Sequence, residues 1–188
     1  MKDFSREGIT SKKIIQGFKL LLPGNTKTLC FYNTFTDFDS KEISKKLGKQ
    51  LKGIILDVDH CISENRGPIF PENIAHLKKL QAEGLKIVIY SNSIWTKRYN
   101  AIPKGIKVLT DIPAKPNLEG FRIALNELGF SKDEIVMVGD NYLTDGGAIQ
   151  MGIPFVRIKA IIHKAKNIRD AFHHATRDFF VLLSKIGF

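Results

Sequence analysis

The hydrophobic pattern in the centre of the chain alternates between strand-like and helix-like segments. Short apolar runs rich in β-branched residues predict five buried strands, over 53–56, 86–90, 106–109, 134–138 and 154–158. Three helices are predicted between them, over 71–84, 116–129 and 144–152, and Ile74, Leu77 and Leu80 share one face of the first. Pro71 suits a first helical turn, while Gly84 and Gly129 suit helix ends. Strands that alternate with helices indicate an α/β fold with a parallel sheet covered on both faces.

The two ends of the chain have amphipathic patterns instead. Residues 11–24 predict a helix with apolar residues on one face, and 39–48 a second helix with a capping box formed by Asp39 and Glu42. A long C-terminal helix is predicted from an apolar stripe at spacings of three and four: Ala165, Ile168, Phe172, Ala175, Phe179, Leu182 and Ile186. Such a stripe suits docking on the sheet, which we favour over membrane contact for this helix.

We therefore divide the chain into three parts of a single domain. Residues 1–52 are a basic, helical N-terminal extension packing on the core, 53–158 are the core, and 159–188 are the C-terminal amphipathic helix. A length of 188 residues suits one well-cored domain. The two cysteines, Cys30 and Cys61, show no metal-ligand or disulfide pattern, which favours a reducing compartment, and Cys61 is interpreted as a buried structural thiol.

The net charge of +10 is concentrated at the two ends of the chain. Residues 1–52 hold 11 Lys and Arg against 5 Asp and Glu, and residues 157–188 hold 7 against 2. This distribution indicates an anionic partner, either a membrane surface or nucleic acid. Nucleic acid is the weaker candidate, because basic and aromatic residues do not alternate as in strand-binding grooves. No apolar run approaches the roughly 18 to 20 residues of a membrane span, and no secretory signal is visible, so a cytoplasmic location is expected.

Polar residues follow the predicted strands at the points where the strands end. They are Asp57, Asp59, Ser91, Asn92, Lys115 and Asp140. In open parallel sheets, ligands bind beyond the carboxyl ends of the strands. The sequence therefore predicts that these six side chains lie around one site.

Four segments, "DVDHC", "SNS", "AKP" and "GDNYLTD", resemble in order the four motifs of the haloacid dehalogenase-like (HAD) phosphatases. The resemblance covers residues 53–158 and implies a HAD-like Rossmannoid fold with strand order 3-2-1-4-5. It also implies a phosphomonoesterase that works through an aspartyl-phosphate and uses Mg²⁺, a hard cation that oxygen ligands suit.

The resemblance assigns a role to each motif residue. Asp57 is the nucleophile, Asp59 the general acid and then the general base, and Lys115 the fixed positive charge. Ser91 and the backbone of Asn92 hold the phosphoryl oxygens. The implied Mg²⁺ ligands are the Asp57 carboxylate, the Asp59 backbone carbonyl and Asp140, with Asp145 supporting the metal or Lys115. Trp95 and Arg98 follow the second motif, and either line the mouth of the site or serve packing and solvation.

The spacing of the motifs leaves no room for a cap domain. Asp59 and Ser91 are 32 positions apart, and Ser91 and Lys115 are 24 apart. An open site suits a phosphate on a large substrate, such as a lipid headgroup, a nucleic-acid end or a protein.

Within the superfamily, the chain is most similar to subfamily IIIA, in particular to the bacterial and mitochondrial phosphatidylglycerophosphate phosphatases. That implies a lipid substrate and a peripheral position on the inner face of a membrane. His60 departs from that family, in which Asn commonly follows the second aspartate. The alternatives are a phosphatase acting on a nucleic-acid terminal phosphate or a soluble metabolite, and a non-catalytic binding module.

Overall fold

The structure, a computed structural model, describes residues 15, 18–19, 26–162 and 175–182. Its strands are β1 (Cys30–Tyr32), β2 (Gly53–Leu56), β3 (Lys86–Tyr90), β4 (Lys107–Leu109), β5 (Ile135–Gly139) and β6 (Phe155–Ile158). Its helices are α1 (Ser40–Leu47), α2 (Pro71–Ala82), α3 (Leu118–Leu128), α4 (Tyr142–Asp145) and α5 (Gly147–Gln150). Short 3₁₀ helices span Phe35–Asp37 and Thr96–Ala101, and residues 175–182 are helical.

The strands form one parallel sheet in the order β1-β6-β5-β2-β3-β4. The predicted α/β class and the order of the five predicted strands are confirmed. The number five was wrong, because β1 adds a sixth strand at the edge, where Cys30 pairs with Val156. β1 has only three residues, all at least partly exposed, so it carries no continuous apolar run that would predict a strand.

Both faces of the sheet are buried. In β2, Ile54 and Leu56 belong to one hydrophobic cluster and Ile55 to the other, and all three are fully buried. Successive side chains of a strand point to opposite faces, so a strand covered on both sides is apolar throughout. The rigid centre of the sheet therefore ends directly at Asp57.

No domain is inserted between Asp59 and Lys115, a stretch that the structure describes throughout. It holds a bridged turn, α2, β3, the 3₁₀ helix Thr96–Ala101 and β4. The predicted absence of a cap is confirmed for both intervals, since the carboxyl edge of the sheet carries only loops and this 3₁₀ helix there.

The predicted helix over 144–152 is two short helices, α4 and α5, which meet at Gly146. The side chain of Asn141 accepts a hydrogen bond from the backbone N–H of Leu143, so α4 begins earlier than predicted. The adjacent glycines 146 and 147 have low helix propensity, which accounts for the break.

The C-terminal helix buries a different face from the one predicted. Of the predicted stripe, Ala175, Phe179 and Leu182 are exposed, whereas Arg177 and Phe180 are buried. The prediction was wrong here because Arg177 has an acidic partner inside the protein, which the apolar spacing cannot show. The rest of the stripe, and the helix predicted over 11–24 apart from residues 15, 18 and 19, lie outside the described residues. Within the described part of the chain, no helix has the length and apolar character needed to cross a bilayer.

Candidate active site

The carboxyl ends of β2 and β5 bring three acidic residues together. Asp57 directly follows β2 and donates its backbone N–H to Val138 of β5 at 2.9 Å, while Asp140 directly follows β5. One carboxylate oxygen from each of Asp57, Asp140 and Asp145 lies within 4.8 Å of the others, and all three residues are buried. The structure thus brings Asp57 and Asp140 together and adds Asp145 from α4.

Burial makes the negative charges in this cluster costly. It raises the pKa of Asp57 and of Asp140 to about 6 each, and it raises the pKa of Asp145 as well. A hard divalent cation prefers carboxylate oxygens and would offset these charges. The donor set therefore fits Mg²⁺.

Lys115 supplies the positive charge inside the cluster. Its Nζ lies 2.7 Å from Asp57 Oδ1 and 2.7 Å from Asp145 Oδ1, with 1% of the side chain exposed. Burial alone would lower the pKa of Lys115, but the carboxylates of Asp145 and Asp57 outweigh burial and raise that pKa. Lys115 is therefore a fixed cation that contacts the predicted nucleophile.

The second motif supports the Lys115 loop. The Asn92 side chain donates to the backbone carbonyl of Lys115 at 2.9 Å and accepts from its backbone N–H at 2.7 Å. Ser91 directly follows β3, is fully buried, and accepts a hydrogen bond from the Ser93 N–H at 3.2 Å. The Asn92 side chain thus positions Lys115, a role that the sequence does not predict.

The Asp59 carboxylate stands outside the group of three acids. Arg98 Nη1 donates to Asp59 Oδ1 at 2.7 Å, and Nη2 donates to Oδ2 at 2.8 Å. The backbone N–H of Arg66 also donates to Asp59 Oδ1, at 2.7 Å. The sequence is compatible with Arg98 either at the mouth of the site or in a packing role. In the structure, Arg98 contacts a predicted catalytic side chain.

His60 adopts a left-handed backbone conformation, with φ of 61°. Asn and His tolerate this region better than most residues, so the Asn common in the resembled family and the His found here both suit the same turn. His60 Nδ1 donates to the carbonyl of Ile161 at 2.8 Å, and the Ile161 N–H donates to the His60 carbonyl at 2.8 Å. His60 therefore joins the first motif to the chain after β6.

Arg177 of the C-terminal helix reaches the site from an unexpected direction. Its Nη1 lies 3.9 Å from Asp140 Oδ2, and 3% of its side chain is exposed. Nothing in the local sequence marks this arginine, since it lies between the apolar positions of a regular helical pattern. Asp140 thus has a cation beside it, as Asp57 and Asp145 do.

Gly139 allows the Asp145 carboxylate to lie in the cluster, because an added Cβ would overlap that carboxyl group. We expect Gly139→Ala to displace Asp145 and to weaken Mg²⁺ binding by about 10- to 100-fold, as the loss of a supporting group does. Calorimetric titration with Mg²⁺ measures this. Gly53→Ala is the control, because an added Cβ there meets only side-chain atoms, at 3.0–3.2 Å, at the other end of the sheet. Equal affinity in Gly139→Ala and the wild type would contradict the expectation.

The chain matches the model of one protein family. The model of the haloacid dehalogenase-like hydrolases matches residues 17–152, which is most of the sequence. The chain belongs to the haloacid dehalogenase-like hydrolases. This agrees with the parallel sheet and with the acids and lysine at its carboxyl edge, and it confirms that the protein is an enzyme of a hydrolase family.

Two individual proteins are similar to this chain. The HAD-like chain is 29% identical over 99 residues to the "Probable phosphatase YqeG" of Bacillus subtilis (strain 168), covering 52% of this chain and 57% of that protein. It thus spans less than two thirds of the length of that relative. A crystal structure of an uncharacterized protein from Listeria monocytogenes serotype 4b has a TM-score of 0.47 and 19% identity, covering 62% of this chain and 85% of that one. The structural likeness is too low to bear on function.

Proposed function

We propose that this HAD-like hydrolase is a Mg²⁺-dependent phosphomonoesterase that works through an aspartyl-phosphate. The observation that carries the proposal is the contact of Lys115 with both Asp57 and Asp145 within a buried acidic cluster. A nucleophilic carboxylate beside a fixed cation suits attack on a phosphoryl group, whose negative charge must be neutralised. The similarity to a protein named a probable phosphatase supports the same reaction.

The reaction has two steps. Asp57 attacks phosphorus, the bond to the leaving oxygen breaks, and Asp59 gives that oxygen a proton. Asp59 then takes a proton from water, which attacks phosphorus, releases phosphate and regenerates Asp57. Lys115, Ser91 and the backbone of Asn92 bind the phosphoryl oxygens. Mg²⁺, held by Asp57, Asp140 and the Asp59 carbonyl with Asp145 in support, would neutralise phosphoryl charge.

We further propose that the substrate is phosphatidylglycerophosphate, which the enzyme reaches as a peripheral protein on the inner face of a membrane. The absence of an inserted domain between Asp59 and Lys115 supports a large substrate. Four apolar side chains are exposed, by 43% to 56%. Trp95 lies after β3 and Ile162 after β6, and the helix that carries Arg177 holds Phe179 and Leu182. Together with the basic ends of the chain, they suit insertion into anionic headgroups.

A substrate panel with and without Mg²⁺ tests this function. Phosphate release is measured from phosphatidylglycerophosphate in mixed micelles, from a 5′-phosphorylated oligonucleotide and from sugar phosphates. We expect Mg²⁺-dependent turnover with the highest kcat/KM on the lipid, and loss of turnover on chelation. A higher kcat/KM on the oligonucleotide or on a sugar phosphate would identify that class as the substrate and contradict the lipid proposal. Absence of turnover on every ester would leave a non-catalytic binding module.

A further inference from the structure

Arg98 makes a bidentate ion pair with Asp59, and this pair is largely buried. The Arg98 side chain is 5% exposed and that of Asp59 is 23% exposed. Arg98 Nη1 also lies 3.3 Å from Ser63 Oγ and 3.3 Å from the Gly67 carbonyl. Removing a guanidinium from water is costly unless it is well paired. A buried guanidinium with several hydrogen-bond acceptors therefore differs from an incidental surface ion pair.

The ion pair separates two carboxylates that are close in sequence. Asp57 belongs to the buried acidic cluster, whereas both carboxylate oxygens of Asp59 accept hydrogen bonds from Arg98. A freely rotating Asp59 carboxylate would be attracted to a cation bound in the cluster. It would then be unavailable to a leaving oxygen.

We propose that Arg98 is a positioning residue that keeps the Asp59 carboxyl group away from the metal ligands and directed at the leaving oxygen. This inference rests on the proposed phosphatase function. Asp59 Oδ1 has two donors, Arg98 Nη1 and the Arg66 N–H, whereas Oδ2 accepts only from Arg98 Nη2 within the described part of the chain. Oδ1 is therefore the anchor. Oδ2 is the oxygen that carries the proton when Asp59 is protonated. It gives this proton to the leaving oxygen and, once ionised, takes one from water.

The test compares esters that differ in their need for a proton. An alkyl phosphate has a poor leaving oxygen that must be protonated, whereas p-nitrophenyl phosphate releases a stable phenolate without help. We expect Arg98→Met to lower kcat for the alkyl ester by about 10²- to 10⁴-fold, the usual contribution of general acid catalysis. The loss on the aryl ester should be much smaller. Asp59→Asn is the reference and should discriminate between the esters in the same way.

Three further variants sharpen the comparison. Arg98→Lys retains the buried charge but not the bidentate geometry. This variant should therefore fold and recover only part of the kcat on the alkyl ester. In the double variant Asp59→Asn/Arg98→Met, the second substitution should cost nothing more, because Arg98 acts through Asp59. Arg122→Met is the control: Arg122 pairs with Glu119 and is 56% exposed, and its loss should change neither ester.

The outcomes separate this inference from the proposed function. Two results would overturn the positioning role. One is an equal loss of kcat on both esters in Arg98→Met and in Arg98→Lys. The other is a further loss of kcat in the double variant. If Asp59→Asn itself does not discriminate between the esters, Asp59 is not the proton donor. The proposed mechanism then fails first, and the role of Arg98 fails with it.

Discussion

Replacing Asp57 with asparagine should lower phosphate release by about 10⁴-fold or more while the protein remains folded. The amide has nearly the shape of the carboxylate but cannot form the bond to phosphorus, and loss of a nucleophile typically removes most of the chemical acceleration. The fold should persist because Lys115 keeps its 2.7 Å contact with Asp145. The substitution also removes a negative charge that burial makes costly, as the raised pKa of the Asp57 carboxyl group indicates, so its loss should not unfold the protein.

Two measurements check this expectation. Phosphate release gives the rate, and acid quenching with a radiolabelled substrate detects the phosphoryl group bound to the wild-type protein and its absence from the variant. Asp133→Asn is a matched control, because Asp133 is exposed and pairs with Lys49 far from the cluster. It should retain wild-type activity. A folded Asp57→Asn protein with more than a few per cent of wild-type activity would exclude Asp57 as the nucleophile.

The fold was predictable to the extent that burial leaves a pattern in the sequence. β2 and β3 are covered on both faces, so their residues form continuous apolar runs that can be identified without a structure. β1 pairs along only one side and is partly exposed, so it leaves no such pattern. The face of the C-terminal helix was predicted wrongly because apolar spacing counts Phe179 as inward and ignores an arginine that has an acidic partner.

The site was predictable where residues belong to a motif and not where they act across the fold. Asp57 and Asp140 directly follow the adjacent strands β2 and β5, so their convergence follows from the parallel sheet, and Lys115 lies in the loop after β4 at the same edge. Arg98 pairs with Asp59 over 39 positions, and Arg177 reaches Asp140 from the C-terminal helix. Such pairings depend on loop and helix placement, which local sequence does not specify.

Replacing Lys115 with methionine should lower the free energy of unfolding in the absence of Mg²⁺ by about 3 to 5 kcal/mol, and it should also abolish activity. Methionine fills much of the same volume, but it leaves the buried carboxylates of Asp57 and Asp145 without their cation, and removing one partner of a buried pair is strongly destabilising. Burial already raises the pKa of both acids, that of Asp57 to about 6, so protonation in the folded state relieves the unpaired charge more at low pH than at high pH. The loss should therefore be larger at pH 8 than at pH 5.

Urea denaturation of wild type and variant with and without Mg²⁺ measures these differences. Because a divalent cation at the cluster replaces part of the missing charge, Mg²⁺ should stabilise Lys115→Met more than it stabilises the wild type. Lys107→Met is the control: Lys107 pairs with Glu127 at 2.6 Å but is 57% exposed, so its loss should cost about 1 kcal/mol or less and should not depend on Mg²⁺. Equal costs for the two lysines would mean that the Lys115 contacts do not balance the charge of the cluster.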